Sequence, residues 1–351
     1  MGRNGRHWGR RQAHGGRHKP TFAAIDLGTH NCRMLIAVPT RSGFKVIDSF
    51  SRTVRLGEDV TESGNLCEVA VERTLEALSI CAEKMRGHKV RATRNVATAA
   101  CRSAANCAGF LEKVSSQTGL DMEIIPPEEE ARLTLAGCAP LLDEKPSNAI
   151  VFDIGGGSTE VAWVDLSNPT SPRVRDVMSL CEGVVTFCEK YGGDRIAPET
   201  YRTMTEEIKK QFVSFEEKNR IGELIAKGQV QMLGTSGTVT TLGASYLELP
   251  FYTRSKVDGL SMSFEDVVRV SHLLADTDFE TRAANPCIGH SRADLVVPGC
   301  AILEAVCETW PVGTLRIADR GIREGIINEL IRANWKHRPP QHHKPSKQAV
   351  G

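Results

Sequence analysis

At 351 residues, with 40% hydrophobic and 25% charged side chains, the chain is long enough for two separate cores and ordinary for a globular protein. Its net charge of +1 hides a polarised distribution: residues 1–20 carry six basic residues and no acid, residues 332–351 carry five and no acid, and the body between sits near −10. No run approaches the roughly 18 apolar residues of a membrane helix, and no apolar leader opens the sequence, so a membrane protein is excluded and a cytoplasmic location expected.

In chain order, the first 20 residues are rich in Gly and Arg and poor in apolar side chains, and they read as a disordered basic tail. Residues 22–38, FAAIDLGTHNCRMLIAV, place an apolar run, Asp26, a short turn and a second apolar run in succession, which predicts a hairpin of two buried strands. FKVIDSFSRTVRLGEDV reads as a further strand and a turn, and VAVERTLEALSICAEKMRGH as a helix ending near Gly87. KVRATRNVATAA reads as a buried strand, SAANCAGFLEKVSSQTG as a helix stopped by Gly119, and MEIIPP as a short strand. Pro126-Pro127 then breaks the chain, and EEEARLTLAGCAPLL begins as a helix with acids in its first turn, the predicted crossing between two domains.

Residues 149–164, AIVFDIGGGSTEVAWV, repeat the hairpin pattern. Laid over the first copy, Asp153 falls on Asp26, Gly155 on Gly28, Ser158 on Asn31 and Glu160 on Arg33. The glycines are expected to tolerate positive φ and let N–H groups converge on an anion. A long helix, ETYRTMTEEIKKQFVSFEEKN, and another Gly-Thr-Ser turn, QMLGTSGTVTTLGA, follow. Two related domains, 21–125 and 126–332, should therefore face each other across a cleft suited to a phosphate chain. Each should hold a mixed sheet flanked by helices, the last helix packing back on the first domain. Residues 333–351 read as a second disordered tail. Both tails suit loose, salt-sensitive contact with a polyanion, or no dedicated partner. The eleven cysteines are scattered, without a CxxC pair, and read as buried small hydrophobes in a reducing compartment.

In this order, DLGTHNCRMLI, ATAACRSAANCAGFL, EEEARL, DIGGGSTE, GTSGTVTTL, SRADLVVPG and ADRGIREGII resemble the exopolyphosphatase and guanosine pentaphosphate phosphohydrolase family, over roughly residues 21–332. The resemblance implies an α/β fold of two actin-like, ribonuclease-H-like domains with a cleft between them, in the short form without additional helical domains. It implies release of orthophosphate from the end of inorganic polyphosphate by attack of water, assisted by Mg²⁺. It leaves open guanosine polyphosphates as substrate, and a homodimer as assembly.

Each motif also has its own chemistry. Gly155, Gly156, Gly157, Ser158 and Thr159 supply N–H groups and hydroxyls for a terminal phosphate, and the Thr29, His30, Asn31 turn faces them. The family ties Asp153 and Glu160 to a divalent cation and to the attacking water. By resemblance Glu130, before Ala-Arg, is the general base, and crowding by Glu128 and Glu129 is expected to raise its pKa. Arg33 and Arg102 are candidate phosphate clamps. Ser236, in the Gly234–Gly237 turn with Thr235 and Thr238, and Arg292 are candidate contacts from the second domain. Asp294 reads most simply as a helix cap, and Arg320 and Arg323 as partners of Glu324 or other acids. Two residues depart from the family pattern: Pro127 stands where Gly is frequent, and His30 where Asn is usual. The competing readings are a guanosine pentaphosphate 5′-phosphohydrolase, a non-catalytic alarmone or nucleotide sensor, and an actin-like ATPase or kinase. The acid set argues against a pure sensor. No sugar-binding signature supports a kinase.

Overall fold

The computed structural model describes residues 19–168 and 170–336, so the expected disorder of the tails lies almost wholly outside the described residues. Two mixed sheets are present, each begun by one of the predicted hairpins. In the first, β1 (Phe22–Leu27), β2 (Asn31–Thr40) and β3 (Gly43–Thr53) are antiparallel neighbours, and β4 (Ala92–Ala97) and β5 (Glu123–Ile124) extend the other edge in parallel. In the second, β6 (Asn148–Ile154), β7 (Thr159–Asp165) and β8 (Arg173–Leu180) repeat the antiparallel part. The parallel part of that sheet consists of β9 (Val230–Thr235) and, beyond β10 (Ser261–Ser263), β11 (Thr314–Ala318). The orders β3-β2-β1-β4-β5 and β8-β7-β6-β9-β11 correspond strand for strand, with β10 added at the second sheet's edge. The duplicated topology is that of an actin-like α/β fold.

The hydrophobic pattern explains each strand's position. Phe22 to Ile25 are at most 1% exposed, as a continuous apolar run in a strand covered on both faces should be. β3 instead alternates exposed and half-buried positions and takes the edge. Both hairpins close with the same turn bond, Gly28 N–H to the Asn31 carbonyl and Gly155 N–H to the Ser158 carbonyl, each 2.9 Å. The register sets Asp26 opposite Arg33 and Asp153 opposite Glu160, as the overlay of the two copies requires.

Two helices run between the sheets and bind them together. Pro127–Cys138 packs Ala131, Leu135 and Cys138 on the second sheet, while Ile322–Lys336, at the other end of the chain, packs Ile322, Ile326, Ile327 and Ile331 on Phe22, Ala24 and Leu35 of the first. The helices touch at backbone level. A Cβ on Gly137 would lie 2.1 Å from the Gly321 carbonyl oxygen, and one on Gly325 2.1 Å from that of Leu133.

Three expectations need correction. The helix expected from SAANCAGFL begins only at Cys107, because the Asn106 side chain bonds both the N–H and the carbonyl of Leu66 and holds a turn there. Ala99–Ser103 forms a separate short helix. The last helix continues to Lys336, past the expected boundary at 332, since nothing before Pro339 breaks it. Val296–Thr309, buried on nearly every face, was not foreseen, because its all-round apolar sequence carries no periodic stripe. Among the described residues no helix is long and apolar enough to cross a membrane.

Candidate active site

The two hairpin turns meet head to head, and this contact explains the glycines. A Cβ on Gly157 would fall 2.6 Å from Thr29 Oγ1, one on Gly156 3.1 Å from the His30 nitrogen, and one on Gly183 2.5 Å from Gly156 carbons and oxygens. Gly28, Gly155, Gly156 and Gly157 are not among the positive-φ residues, so the expected left-handed turn is replaced by a requirement for space. The Gly155 and Gly156 carbonyls accept from the N–H groups of Val184 and Val185, at 3.0 and 2.8 Å, at the start of the helix Val184–Tyr191. In a trans peptide N–H points opposite to C=O, so the Gly156 and Gly157 N–H groups are turned away from that helix. Gly155 to Ser158 line a cavity whose opposite wall is the Thr29, His30, Asn31 turn.

Three acids surround the base of this loop. Asp153 is half-buried on the cavity wall, and desolvation there, then Glu160 and Asp26, push its carboxyl up to about 7 against the pull of Arg33. Glu160, 2% exposed, accepts from Ser179 Oγ at 3.0 Å and from Arg102 at 3.4 Å through one oxygen, while Oε2 is buried without a partner. Glu130, 6% exposed, enters from the first turn of Pro127–Cys138 and accepts from Arg102 at 2.7 Å. Its carboxyl is raised well above the usual range by burial and then by Glu160. The expected crowding by Glu128 and Glu129 plays no part: Glu128 is exposed, and Glu129 pairs outward with Arg132 and Arg94.

Cations face these acids from both halves. Burial, and then Arg323 and Arg292, pull the Arg33 guanidinium below its usual range against the opposing pull of Asp26 and Asp153. Beside it both ring nitrogens of His30 are buried without a partner. Burial, followed by Arg55, Arg292 and Arg33, lowers that ring to about 4, so it is neutral at physiological pH. Ser236 holds φ at 130°, a strained value for a serine, and caps the helix Gly237–Tyr246, whose first turn opens on the cavity. Arg292 lies against Gly237, its Cζ 3.8 Å from where a Cβ would stand.

Twelve predicted site residues therefore share one cavity: Thr29, His30, Asn31, Arg33, Glu130, Asp153, Gly155, Gly156, Gly157, Ser158, Ser236 and Arg292. Three do not line it. Thr159 is fully buried and spends its hydroxyl on the Glu182 carbonyl at 2.7 Å, because a strand places successive side chains on opposite faces. Glu160 stands behind Asp153. Arg102, expected as a phosphate clamp, is occupied by Glu130, Glu160 and the Ile125 carbonyl. Asp294 is not a helix cap but pairs with Arg55 at 3.1 Å across the cleft, and Glu189 likewise accepts from Asp59 N–H and Thr61 Oγ1 at 3.2 Å. Arg320 pairs with Asp258 rather than with Glu324. Sequence reasoning left out of the site Asp26, Thr98 and Thr241, which line the cavity, and Arg323, whose charge acts on Asp26 and Arg33. The hairpin overlay already pointed at Asp26; the others carry no local signal.

The residues fit a hard divalent cation. Asp153 and Glu160 are cross-strand neighbours of like charge, and one oxygen of the pair is orphaned, so a cation or a proton must sit there. Among the described residues no cluster of three or more His, Cys, Asp or Glu forms a complete cage. Mg²⁺ is typically held by one or two carboxylates plus phosphate oxygens and water, and Asp153 and Glu160 offer such a pair.

Comparison with known proteins agrees with this geometry. The model of the Ppx/GppA phosphatase family matches residues 35–333. A Haemophilus influenzae protein provisionally named an exopolyphosphatase is 28% identical over 317 residues, 88% of this chain and 91% of that protein. A Photobacterium profundum protein named guanosine-5′-triphosphate,3′-diphosphate pyrophosphatase is 29% identical over 323 residues, 89% of this chain but 59% of that longer protein. The crystal structure of the Aquifex aeolicus member of the Ppx/GppA family superposes with a TM-score of 0.73 at 28% identity, covering 90% of this chain and 99% of that one.

Proposed function

We propose, from the premise that this chain belongs to the Ppx/GppA phosphatase family, that it hydrolyses the terminal phosphoanhydride bond of inorganic polyphosphate. The observation that carries the reading is Glu130: a buried carboxylate on the wall of a cavity that also presents the phosphate loop, Arg33 and Arg292. A binder of polyanions gains nothing from an acid there, whereas a hydrolase needs one to take the proton of the attacking water. In this reading Gly156, Gly157 and Ser158 hold the terminal phosphate, Thr29 to Asn31 support it from across the cleft, and Arg33 and Arg292 grip the chain behind it. Arg102 orients Glu130 rather than touching substrate. Asp153 and Glu160 would hold Mg²⁺, which when bound neutralises charge at the transferred group.

The second substrate reading is guanosine pentaphosphate, which the name of the Photobacterium relative favours. Apolar Leu242, Val296 and Ile322 in the same cavity give a nucleoside a surface to rest on. The proposal extends to a cytoplasmic location, in keeping with eleven free cysteines, to two domains divided after residue 125, and to basic tails that hold long chains.

The test is phosphate release from long-chain polyphosphate, guanosine pentaphosphate and ATP, with Mg²⁺ and with excess chelator. Polyphosphate should be the best substrate, and chelator should abolish turnover. Glu130→Gln should lose on the order of 10²-fold or more in rate while still binding substrate. Near-normal turnover by that variant would remove Glu130 from the role.

A further inference from the structure

Arg282 is among the most deeply buried large side chains, 1% exposed, and lies outside the cavity. Its hydrogen bonds all run to main-chain carbonyls: Ala293 at 2.8 Å, Gly193 at 2.7 Å, Asp194 at 2.6 Å, Leu274 at 3.5 Å, and Thr277. No carboxylate is among those acceptors, which is a costly way to bury a charge unless the carbonyls themselves must be gathered. They belong to three segments: the turn after the helix Val184–Tyr191, the end of the helix Phe264–Ala275, and the turn before the helix Val296–Thr309 that carries Arg292 and Asp294. Gly193 packs against that last turn so closely that a Cβ there would lie 2.2 Å from the Asp294 carbonyl oxygen.

The helix Val184–Tyr191 thus works as a spacer with a fixed element at each end. Its start holds the phosphate loop through the bonds to Gly155 and Gly156. The turn beyond its end holds, through Arg282, the residue next to Arg292. We infer that Arg282 is a positioning residue that sets the separation between the phosphate loop and Arg292, and so the grip on the second part of the phosphate chain. The five-donor fork of a guanidinium can serve three segments at once, which a lysine ammonium cannot. This inference rests on the reading of Arg292 as a phosphate-chain contact.

The experiment is a double-mutant cycle on polyphosphate affinity by calorimetry in Mg²⁺, using the wild type, Arg282→Lys, Arg292→Ala and the double variant. Each single substitution should weaken binding on the order of 10-fold, since a shift of about 1 Å is enough to spoil a positioned contact. The double variant should bind no more weakly than Arg292→Ala alone. Multiplying effects, or an unchanged Arg282→Lys, would overturn the inference. Should Arg282→Lys fail to fold, Gly193→Ala displaces the same turn with Arg282 intact, and the same two outcomes decide. A wild type without affinity for polyphosphate would sink the functional reading instead. The positioning claim is then read from modification of Arg292 by phenylglyoxal, mapped by mass spectrometry. A several-fold change of rate in Arg282→Lys supports it, and an unchanged rate refutes it.

Discussion

Replacing Arg102 by methionine separates two roles that the sequence alone confuses. The guanidinium bridges Glu130 at 2.7 Å and Glu160 at 3.4 Å, and the two carboxylate side chains are only 8% and 3% exposed. An adjacent arginine typically holds a carboxylate about 1–3 pKa units down. Without it, the already raised Glu130 carboxyl should climb further, so less of it is ionised at neutral pH. Because the base works as a carboxylate, the rate should fall at neutral pH and recover as pH rises, with the acid limb of the pH–rate profile moved to higher pH. KM for polyphosphate should stay within about 3-fold, as Arg102 does not line the cavity. The same shift has a stability sign. A carboxyl whose folded pKa is raised loses its stabilising contribution as pH climbs through that value, so the variant's deficit should be small near pH 4. It should grow to about 1–4 kcal/mol at alkaline pH, at 1.36 kcal/mol per unit. The assay is a pH series of kcat and KM for phosphate release, with thermal melts alongside. A KM raised 10-fold or more over an unmoved pH profile would refute the reasoning and return Arg102 to the role of phosphate clamp.

His30, held neutral with its pKa lowered to about 4, contributes stability that is present above about pH 6.5 and is lost as pH falls through 4. His30→Asn should therefore flatten the acid limb of the stability profile by on the order of 3 kcal/mol, measured by denaturant melts between pH 4 and 7. Gly157→Ala puts a methyl 2.6 Å from Thr29 Oγ1 and should destabilise the protein by about 1–3 kcal/mol, with Thr29→Ala recovering part of the loss; a silent Gly157→Ala would show that the turns do not touch.

Much of this arrangement was legible because it is written locally. The two hairpins, their register and the strand order around them follow from apolar runs broken by an Asp and a small turn, features confined to about 17 residues each. The fate of Arg102 was not legible: its partners lie 23, 28 and 58 residues away, and no periodicity encodes a contact across helix, strand and loop. The glycines were found but explained wrongly, since the constraint comes from a second turn 127 residues away rather than from their own dihedrals. Thr159 was misplaced by one position, as the change from turn to strand moves its side chain to the opposite face. Arg282 offers no sequence signal at all, because carbonyl oxygens are common to every residue.

The pair of crossing helices also bears on how the protein is made. The face of the first sheet that carries Phe22, Ala24 and Leu35 is covered by Ile322, Ile326, Ile327 and Ile331, which are translated about 300 residues later. Until that helix is made, the face lacks its cover. At about 5–20 residues per second, the wait between Leu35 and Ile331 is on the order of 15–60 s. For that interval the apolar face is open to aggregation, and docking of the helix Ile322–Lys336 closes it. A chain cut short before Ile322 would carry every proposed catalytic residue and leave the Phe22, Ala24 and Leu35 face bare.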